Sequence, residues 1–457
     1  MKPMNKPKLL LLLTIFFLST SAAQSQSGAL TSDSIFFQMK KVADWQWKTL
    51  ETVGWKNPKK DWTSGAMYTG MVAWAKLANE ETYYRKLIQV GEDNKWQVGK
   101  YRYFADDYCV GQLYSQLYKI YKDPKYIADF KTLADTITTL SHTEGLEWKK
   151  SIHLREWAWC DALFMGPPAL GYLTEATGDA KYLDKSAQLW NKTTEYLYDK
   201  DEHLYYRDSR YFDKKEKNGA KVFWGRGNGW VIGGLVRVLS VMPKNHPERK
   251  KLEGLFTDMS SKLATLQQPD GSWHASLLDP ASYPSKETSG TGFICYAMAW
   301  GINNGLLPIK KYQPVVNKAW LALVTSIHPD GKLGFVQAQG AAPDKVTYND
   351  TDVYGVGAFL LAGSEMLPLY LNQKKNVLIK EVYNGEANSK QQPVELKWKD
   401  ISKKIKKADA SKVVVKDATT NEIIPSTIVY KGKTPQLLKY TAYLSAGTSR
   451  FFEISIK

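Results

Sequence analysis

One aspartate stands among aromatic residues at the start of an apolar helical pattern. Asp161 follows Trp157-Ala-Trp-Cys and precedes Ala-Leu-Phe-Met-Gly166. A carboxylic acid surrounded by apolar side chains has its charged form disfavoured, so its pKa rises and it can donate a proton near neutral pH. An aspartate at this position can equally cap the helix by accepting backbone N–H groups. The residues around Asp161 leave a general acid and a helix cap as equal alternatives.

Six segments share one pattern, in which a polar entry containing glycine or small residues leads into an apolar helix. They begin near Thr63, Asp106, Cys160, Gly225, Ser289 and Asn349. More amphipathic helical stretches lie between them. A helix pair repeated six times predicts an all-α (α/α)6 barrel, with the apolar helices inside. The six inner N-termini would then surround one cavity, whose positive partial charge suits an anionic ligand.

Composition divides the chain into three regions. Residues 1–23 combine three lysines, an apolar run too short to span a bilayer and the small residues Ser21-Ala-Ala23, which is typical of a cleaved secretory signal. Residues 30–372 hold the helical repeats. Residues 375–457 alternate β-branched and aromatic residues, which predicts a small β-sandwich-like domain with a packing role or a carbohydrate-binding one. We expect a periplasmic or secreted protein whose mature form has no membrane-inserted segment.

Charge and cysteine content exclude several classes. The formal net charge is +16, which suits acidic ligands, although scattered lysines are typical of a solvated surface. We expect no nucleic-acid partner, because no basic stripe lies on a recognisable module. Cys109 and Cys160 stand at the starts of two predicted inner helices, where one disulfide or two buried thiols are the alternatives. The histidines lack ligand spacing, so the sequence predicts neither a metal nor another cofactor.

Three motifs resemble those of a known family. They are Asp106-Asp-Tyr-Cys-Val-Gly111, Trp159-Cys-Asp161-Ala-Leu-Phe-Met-Gly166 and Phe223-Trp-Gly-Arg226-Gly-Asn-Gly-Trp230. Their order and spacing resemble family 105 of the glycoside hydrolases, the unsaturated rhamnogalacturonyl and glucuronyl hydrolases. The resemblance extends from about Phe36 to Tyr370. It implies that Asp161 is the general acid, that Asp106 is the second carboxylate and that Arg226 lies near the substrate.

The resemblance also implies a mechanism on an acidic oligosaccharide. The terminal uronate of the substrate carries a C4=C5 double bond left by a polysaccharide lyase. Asp161 protonates C4, water adds at C5, and the hemiketal collapses with release of the next sugar. Asp106 would hold ring hydroxyls and, as a nearby negative charge, keep Asp161 protonated. This route differs from the direct attack on a glycosidic bond by two carboxylates.

Several residues near these motifs are candidates for substrate binding. Arg226 beside Trp224 could clamp a carboxylate with both arms of its guanidinium, or be a structural arginine stacked on an indole. Many family members have a histidine after a Leu-Tyr-Tyr segment, where this chain has Arg207-Asp-Ser-Arg210. These two arginines would favour a more anionic leaving sugar, or lie on an exposed connection. The other candidates, for which capping or core packing is the alternative, are Asp107, Trp62, Tyr68, Trp157, Ser289 and Thr291.

Three other functions fit parts of this pattern. Another (α/α)6 glycosidase would share the fold but not the unsaturated substrate. A sugar epimerase would need histidine bases on the inner helices, and the six segment entries carry none. A non-catalytic periplasmic glycan-binding protein would use the aromatic residues and arginines without a protonated Asp161.

Overall fold

The computed structural model describes residues 30–149, 156–372, 377–382, 390–405 and 408–456, so the predicted signal at residues 1–23 lies outside the described residues. The helices are α1 (Ser32–Thr52), α2 (Trp62–Ala78), α3 (Glu81–Asp93), α4 (Gly111–Tyr121), α5 (Ala128–Thr138), α6 (Ala162–Thr177), α7 (Lys181–Leu197), α8 (Gly225–Val241), α9 (Arg249–Thr265), α10 (Thr288–Asn303), α11 (Ile309–Val324), α12 (Val353–Asn372) and α13 (Trp398–Lys404). The strands are β1 (Tyr198–Asp199), β2 (Leu204–Tyr205), β3 (Val377–Val382), β4 (Lys390–Lys397), β5 (Val413–Asp417), β6 (Ile423–Ile424), β7 (Ser426–Lys431), β8 (Thr434–Leu444) and β9 (Ser449–Ile456).

The helices fall into a buried set and an amphipathic set, as their composition predicts. The buried set consists of α2, α4, α6, α8, α10 and α12, most of whose residues are buried. Each of these helices contacts the next one along the chain, and α12 contacts α2. The amphipathic helices α3, α7, α9 and α11 each pack against the buried helix that precedes them. The buried helices therefore form a closed ring of contacts with a second layer outside it.

Glycines let neighbouring helices of this ring approach closely. A Cβ atom at Gly70 of α2 would lie 2.3 Å from the carbonyl oxygen of Gly357 in α12. A Cβ atom at Gly234 of α8 would lie 2.3 Å from the carbonyl oxygen of Leu163 in α6. Both distances are shorter than van der Waals contact, so any side chain there would push the backbones apart. The small-residue composition of these helices thus sets their spacing.

The C-terminal region forms two antiparallel sheets, with strand orders β3-β9-β5-β6 and β4-β8-β7. Val394 and Leu438 of one sheet share a buried cluster with Val415 and Ile454 of the other. Alternation of buried and exposed residues along β8 produces this face, which is why the sequence pattern predicts the strand. The prediction of a mostly helical protein with a small C-terminal β region is confirmed.

The turn between β8 and β9 attaches this region to the end of α2. Asn79, in a left-handed conformation after the last turn of α2, accepts hydrogen bonds from Ser445 N at 2.9 Å and Thr448 Oγ1 at 2.8 Å. The hydroxyl of Tyr84 donates to the carbonyl oxygen of Gly447 at 2.7 Å. The sheets therefore contact the helices where α2 finishes, away from the end where it begins.

Helix α12 is long and apolar enough to cross a membrane by length and composition, and no other helix among the described residues is. Most of its residues are buried, and it packs between α2 and α10. Its apolar character is therefore accounted for by its place in the core.

Candidate active site

Side chains at the starts of the buried helices face one another. Trp62 at the start of α2 stacks on Tyr354 of α12, with ring centroids 5.5 Å apart, and meets Trp230 of α8 edge-on at 6.0 Å. Asp106, which precedes α4, lies close enough to Asp161 for their charges to interact. Acidic and aromatic side chains from several of these helix starts therefore lie close together, and the gathering of all six N-termini around one cavity stays a prediction.

Asp161 occupies the position before α6 without capping it. Its backbone is already helical, its side chain accepts no hydrogen bond from the first turn, and the residue is 9% exposed. Oδ2 instead lies 3.3 Å from Nε of Arg207 and accepts a contact from Cys160 Sγ at 3.5 Å. Of the two alternatives that the sequence leaves for Asp161, the helix cap is therefore wrong, and the carboxyl group is available for chemistry.

Asp106 lies in a short 3-10 helix, Ala105–Tyr108, that precedes α4. Burial of its carboxyl group, and next the charge of Asp161, raise the pKa of Asp106 well above its usual range, while Arg207 opposes this shift. This direction favours the protonated form of Asp106 and disagrees with the expectation that Asp106 is the charged partner. Asp161 is the member of the pair that faces the guanidinium of Arg207.

Arg207 and Arg210 are held by a shared aspartate and a shared indole. Arg207 Nη1 donates to Asp208 Oδ2 at 2.7 Å, and Arg210 donates to both carboxylate oxygens of Asp208 at 2.9 and 2.8 Å. The two guanidinium carbons lie 4.7 and 3.9 Å from the ring centroid of Trp148. Burial would raise the pKa of Asp208, but hydrogen bonds from Arg210 and Arg207 outweigh it and lower that pKa, which keeps Asp208 ionised.

Exposure distinguishes the two arginines. The side chain of Arg207 is 12% exposed beside Asp161, and its backbone carbonyl accepts a hydrogen bond from Cys160 N at 2.8 Å. The side chain of Arg210 is 42% exposed. Arg207 therefore lies beside the Asp106–Asp161 pair, whereas Arg210 lies farther out toward solvent. Their role toward a substrate stays a prediction.

Sequence reasoning missed Trp148 and Asp208 as members of this site. An aspartate between two arginines was a usable signal for Asp208, because each arginine can reach back to it. Trp148 carried no such signal, since it lies outside every motif and reaches the arginines only through tertiary structure.

The contacts of Arg226 agree better with a structural arginine stacked on an indole than with a clamp for a substrate carboxylate. Its guanidinium is buried, with Nη2 donating to the carbonyl oxygen of Ala338 at 2.8 Å and Nη1 donating to Gln337 O and Tyr354 Oη. The guanidinium carbon lies 4.5 Å from the ring centroid of Trp224. Both arms are thus already engaged by groups of the protein, and a bidentate clamp on substrate would require these bonds to be exchanged.

Tyr68 and Trp157 lie in the core rather than at a sugar site. Tyr68 is fully buried, and its hydroxyl donates to the carbonyl oxygen of Lys59 at 2.9 Å. Trp157 packs its ring against Gly166, where a Cβ atom would lie 2.5 Å from it. Core packing, the alternative that the sequence leaves, therefore describes these two candidates for substrate binding.

Asp107, Ser289 and Thr291 take part in local hydrogen bonding. Asp107 accepts from Tyr101 N at 2.8 Å, which shapes the connection before α4. Ser289 donates to Glu287, whose carboxylate caps α10, and Thr291 Oγ1 accepts from Trp273 N at 3.0 Å. Glu287 caps α10, so the capping alternative is wrong for Ser289 and Thr291 themselves. Both hydroxyl groups are buried and engaged by the protein, and the expected contact with a uronate carboxyl is corrected accordingly.

Cys109 and Cys160 are buried free thiols. Burial raises the pKa of each well above its ordinary value, so both stay protonated. The thiol of Cys160 contacts Oδ2 of Asp161, and its backbone N–H donates to the carbonyl oxygen of Arg207.

Comparison with known proteins identifies the family. The model of Glycosyl Hydrolase Family 88 matches residues 38–370. The chain belongs to this family. It is therefore a glycosidase, and the resemblance to hydrolases of unsaturated uronates is confirmed.

Named relatives refine the comparison. The chain is 40% identical to an unsaturated 3S-rhamnoglycuronyl hydrolase from Formosa agariphila, over 68% of this chain and 85% of that protein. A protein of the same name from Alteromonas sp. (strain LOR) is 36% identical, over 67% of this chain and 78% of that protein. A solved structure of a family 88 glycosyl hydrolase from Bacteroides vulgatus has a TM-score of 0.67 at 31% identity, over 74% of this chain and 99% of that one.

Proposed function

We propose that this glycosidase removes the 4,5-unsaturated uronic acid from the non-reducing end of oligosaccharides that a polysaccharide lyase has produced. Two relatives named unsaturated 3S-rhamnoglycuronyl hydrolase support this substrate class. The single observation that carries the proposal is the carboxyl pair, in which Asp106 has a raised pKa and Asp161 faces Arg207. Such a pair keeps one exchangeable proton near neutral pH, which is what hydration of an enol ether needs.

The reaction proceeds by protonation and hydration. Asp161 delivers a proton to C4, and a water molecule adds to C5 while its own proton passes to Asp161. The C5 hemiketal opens to a ketone and leaves a hemiacetal at C1. The hemiacetal then expels the next sugar, so that one carboxyl group serves both proton transfers.

Arg207 provides a reason for the proton to reach Asp161 when substrate binds. In the free protein Arg207 Nε lies 3.3 Å from Oδ2 of Asp161, and the raised pKa of Asp106 favours the protonated form of that carboxyl group. The carboxylate of a uronate is a second anion that competes for the same guanidinium. Once Arg207 contacts the uronate, its guanidinium no longer stabilises the charged form of Asp161. The shared proton then moves from Asp106 to Asp161. Recognition of the acidic sugar is then coupled to loading of the general acid.

The fold and location complete the proposal. We assign the ring of six buried helices and its outer layer to an (α/α)6 barrel over residues 30–372, with a C-terminal accessory domain over residues 375–457. The contacts at Asn79 and Tyr84 favour a packing role for that domain. We also propose that residues 1–23 are removed on export and that the mature protein acts in the periplasm or outside the cell.

The test is turnover of lyase-generated unsaturated oligouronides, followed as loss of their conjugated ultraviolet absorbance. We expect the mature protein to consume these substrates and Asp161→Asn to lose turnover while still binding them. Asp213→Asn, an exchange outside the carboxyl pair, serves as the matched control and should retain activity. Activity on saturated glycosides alone would contradict the proposal and favour another (α/α)6 glycosidase.

A further inference from the structure

The segment of residues 140–148, which follows α5, forms neither a helix nor a strand. Backbone polar groups in such a segment need partners from other parts of the protein. Lys192 of α7 supplies two of them, because its Nζ donates to the carbonyl oxygen of His142 at 3.0 Å and to that of Glu144 at 2.7 Å. The side chain of Leu146 is buried in the core. Side chains, rather than a sheet, therefore hold this segment in place.

A buried carboxylate completes the contacts of Lys192. Glu156 is 1% exposed, and its Oε2 accepts a hydrogen bond from Lys192 Nζ. Its Oε1 accepts from Glu144 N at 3.4 Å and lies 3.3 Å from Nδ1 of His142. Burial would raise the pKa of Glu156, but contacts with His142 and Lys192 outweigh it and lower that pKa, which keeps the carboxylate ionised. Glu156 and Lys192 thus form a buried ion pair that holds the backbone of residues 142–144.

The held segment ends at the arginines of the candidate active site. Trp148 N donates to Ser209 Oγ at 2.8 Å. The indole of Trp148 lies 4.7 Å from the guanidinium carbon of Arg207 and 3.9 Å from that of Arg210. A shift of this segment would therefore remove the indole from one side of the guanidinium that lies beside Asp161.

The same turn of α7 also holds the segment that leads to Asp161. Thr193, which follows Lys192, donates through Oγ1 to the carbonyl oxygen of Trp157 at 2.8 Å. Trp157 begins the motif that contains Asp161. Neighbouring residues of one helix therefore fix both the segment that carries Trp148 and the segment that carries the carboxyl group.

We propose that Glu156 and Lys192 are positioning residues, which hold Trp148 against Arg207 and thereby keep its guanidinium beside Asp161. They act through Trp148 rather than by contact with substrate. The kinetic consequences rest on the proposed function. Removing one partner of a buried ion pair leaves the other without its counter-charge, so the contacts around it rearrange. Since small displacements of a binding group reduce the rate steeply, this rearrangement should be visible in catalysis.

Steady-state kinetics on unsaturated oligouronides test the role of Glu156. Glu156→Gln keeps the shape of the side chain and removes its charge. We expect KM to rise about three- to tenfold, less than in Arg207→Gln, because the guanidinium is loosened rather than removed. The alkaline limb of kcat/KM should shift to higher pH, because Arg207 opposes the raised pKa of Asp106. In the Arg207→Gln background, Glu156→Gln should add neither effect.

A matched control separates positioning from general loss of stability. Asp417 is also buried and is paired with a cation, Arg450, but it lies in the C-terminal region. Asp417→Asn should lower the melting temperature without changing KM or the pH profile. If Glu156→Gln does not fold, Lys192→Gln carries the same expectations, because it removes the donor to the two backbone carbonyl oxygens. Effects of Glu156→Gln that persist undiminished in the Arg207→Gln background would overturn the proposal.

Hydrogen exchange without substrate provides a second readout, which does not depend on whether unsaturated oligouronides are consumed. In Glu156→Gln the backbone amides of residues 140–149 and 207–211 should exchange faster than in the parent, and those in Asp417→Asn should not. A parent without turnover would contradict the proposed function, and exchange would still decide the positioning role. Unchanged exchange in Glu156→Gln, or faster exchange confined to residues 140–149, would show that the ion pair does not act on the arginines through Trp148.

Discussion

Arg207 and Asp161 are joined twice, through their side chains at 3.3 Å and through the hydrogen bond from Cys160 N to the carbonyl oxygen of Arg207. The backbone bond holds the segment after β2 against the start of α6, which keeps the base of the Arg207 side chain beside the Asp161 carboxyl group. Asp208 and Trp148 hold the guanidinium from its other sides. An arginine held in this way is prepared to meet a second anion without a large rearrangement.

Asp106→Asn should stabilise the protein at neutral and alkaline pH while reducing turnover. The pKa of Asp106 is raised in the folded state. At pH values below the pKa of the unfolded state, Asp106 is protonated in both states and does not change the free energy of unfolding. As the pH rises from the unfolded pKa to the folded pKa, burial of Asp106 lowers the free energy of unfolding progressively. Each pH unit in that window removes up to about 1.4 kcal/mol of folding free energy, which the neutral amide avoids. Melting temperatures of both proteins between pH 4 and pH 9 measure this. A difference that stays constant across that range would show that Asp106 is not protonated in the fold.

Arg207→Gln should raise KM for acidic substrates more than Arg210→Gln does. A partly desolvated arginine–carboxylate contact is worth about 2–4 kcal/mol on truncation, so an increase of tenfold or more is expected at Arg207. High ionic strength should weaken binding in the parent in parallel. Steady-state kinetics over a salt series check this. Unchanged kinetics in both single variants and in the double variant would show that these arginines do not bind the anion, and would leave Arg226 and the helix N-termini as the candidates.

The same variant should move the pH profile. Arg207 lowers the pKa of Asp106, so its loss raises that pKa further. The alkaline limb of kcat/KM, where the pair gives up its proton, should therefore shift to higher pH in Arg207→Gln. Arg210→Gln is the comparison, because Arg210 is not among the charges that shift Asp106 most. A limb that moves equally in both variants, or moves to lower pH, would contradict this coupling.

Chelators should leave activity intact. Protonation by a carboxylic acid followed by water addition requires no Lewis acid. Throughout the described ranges, no group of three or more His, Cys, Asp or Glu side chains is arranged to hold a metal ion. Assays with and without EDTA check the expectation, and activity that is lost with EDTA and restored by one divalent metal would refute it.

Asn79→Ala should lower the melting temperature without changing KM. The substitution removes the acceptor for Ser445 N and Thr448 Oγ1, which costs about 1–3 kcal/mol and lowers the melting temperature by about 2–4 °C for each kcal/mol lost. Gln436→Ala is the control on β8, because its side chain makes only a local bond to Thr434. A raised KM in Asn79→Ala would mean that the C-terminal region acts on the substrate site.

The sequence predicts the arrangement of helices better than the orientation of side chains on them. Helices α8 and α10 begin at Gly225 and Thr288, at or beside the predicted entries, because polar and small residues before an apolar run define a helix start. An inner helix is apolar on nearly every side, so its pattern does not tell which residue faces the lumen and which the outer layer. The pattern therefore does not distinguish Tyr68 and Trp157, which lie in the core, from residues that contact substrate.

The sequence also does not predict which carboxyl group of the Asp106–Asp161 pair carries the proton. The identity of Asp106 and Asp161 as a pair follows from the motifs, but the position of the proton depends on which carboxyl group Arg207 approaches. That depends on a contact between segments separated in the chain, and Trp148, which positions the same arginine, is equally distant from the motifs.

The contact between Gly70 of α2 and Gly357 of α12 joins the first and the last buried helices. During synthesis α2 is complete long before α12 has been translated, so its ring partner on one side is missing for most of that time. Closing a loop of that length costs entropy before any contact forms, and topologies dominated by such distant pairings fold slowly. Until then the apolar face of α2 is available for aggregation. A truncation within α12 should therefore affect the solubility of the nascent chain as a whole.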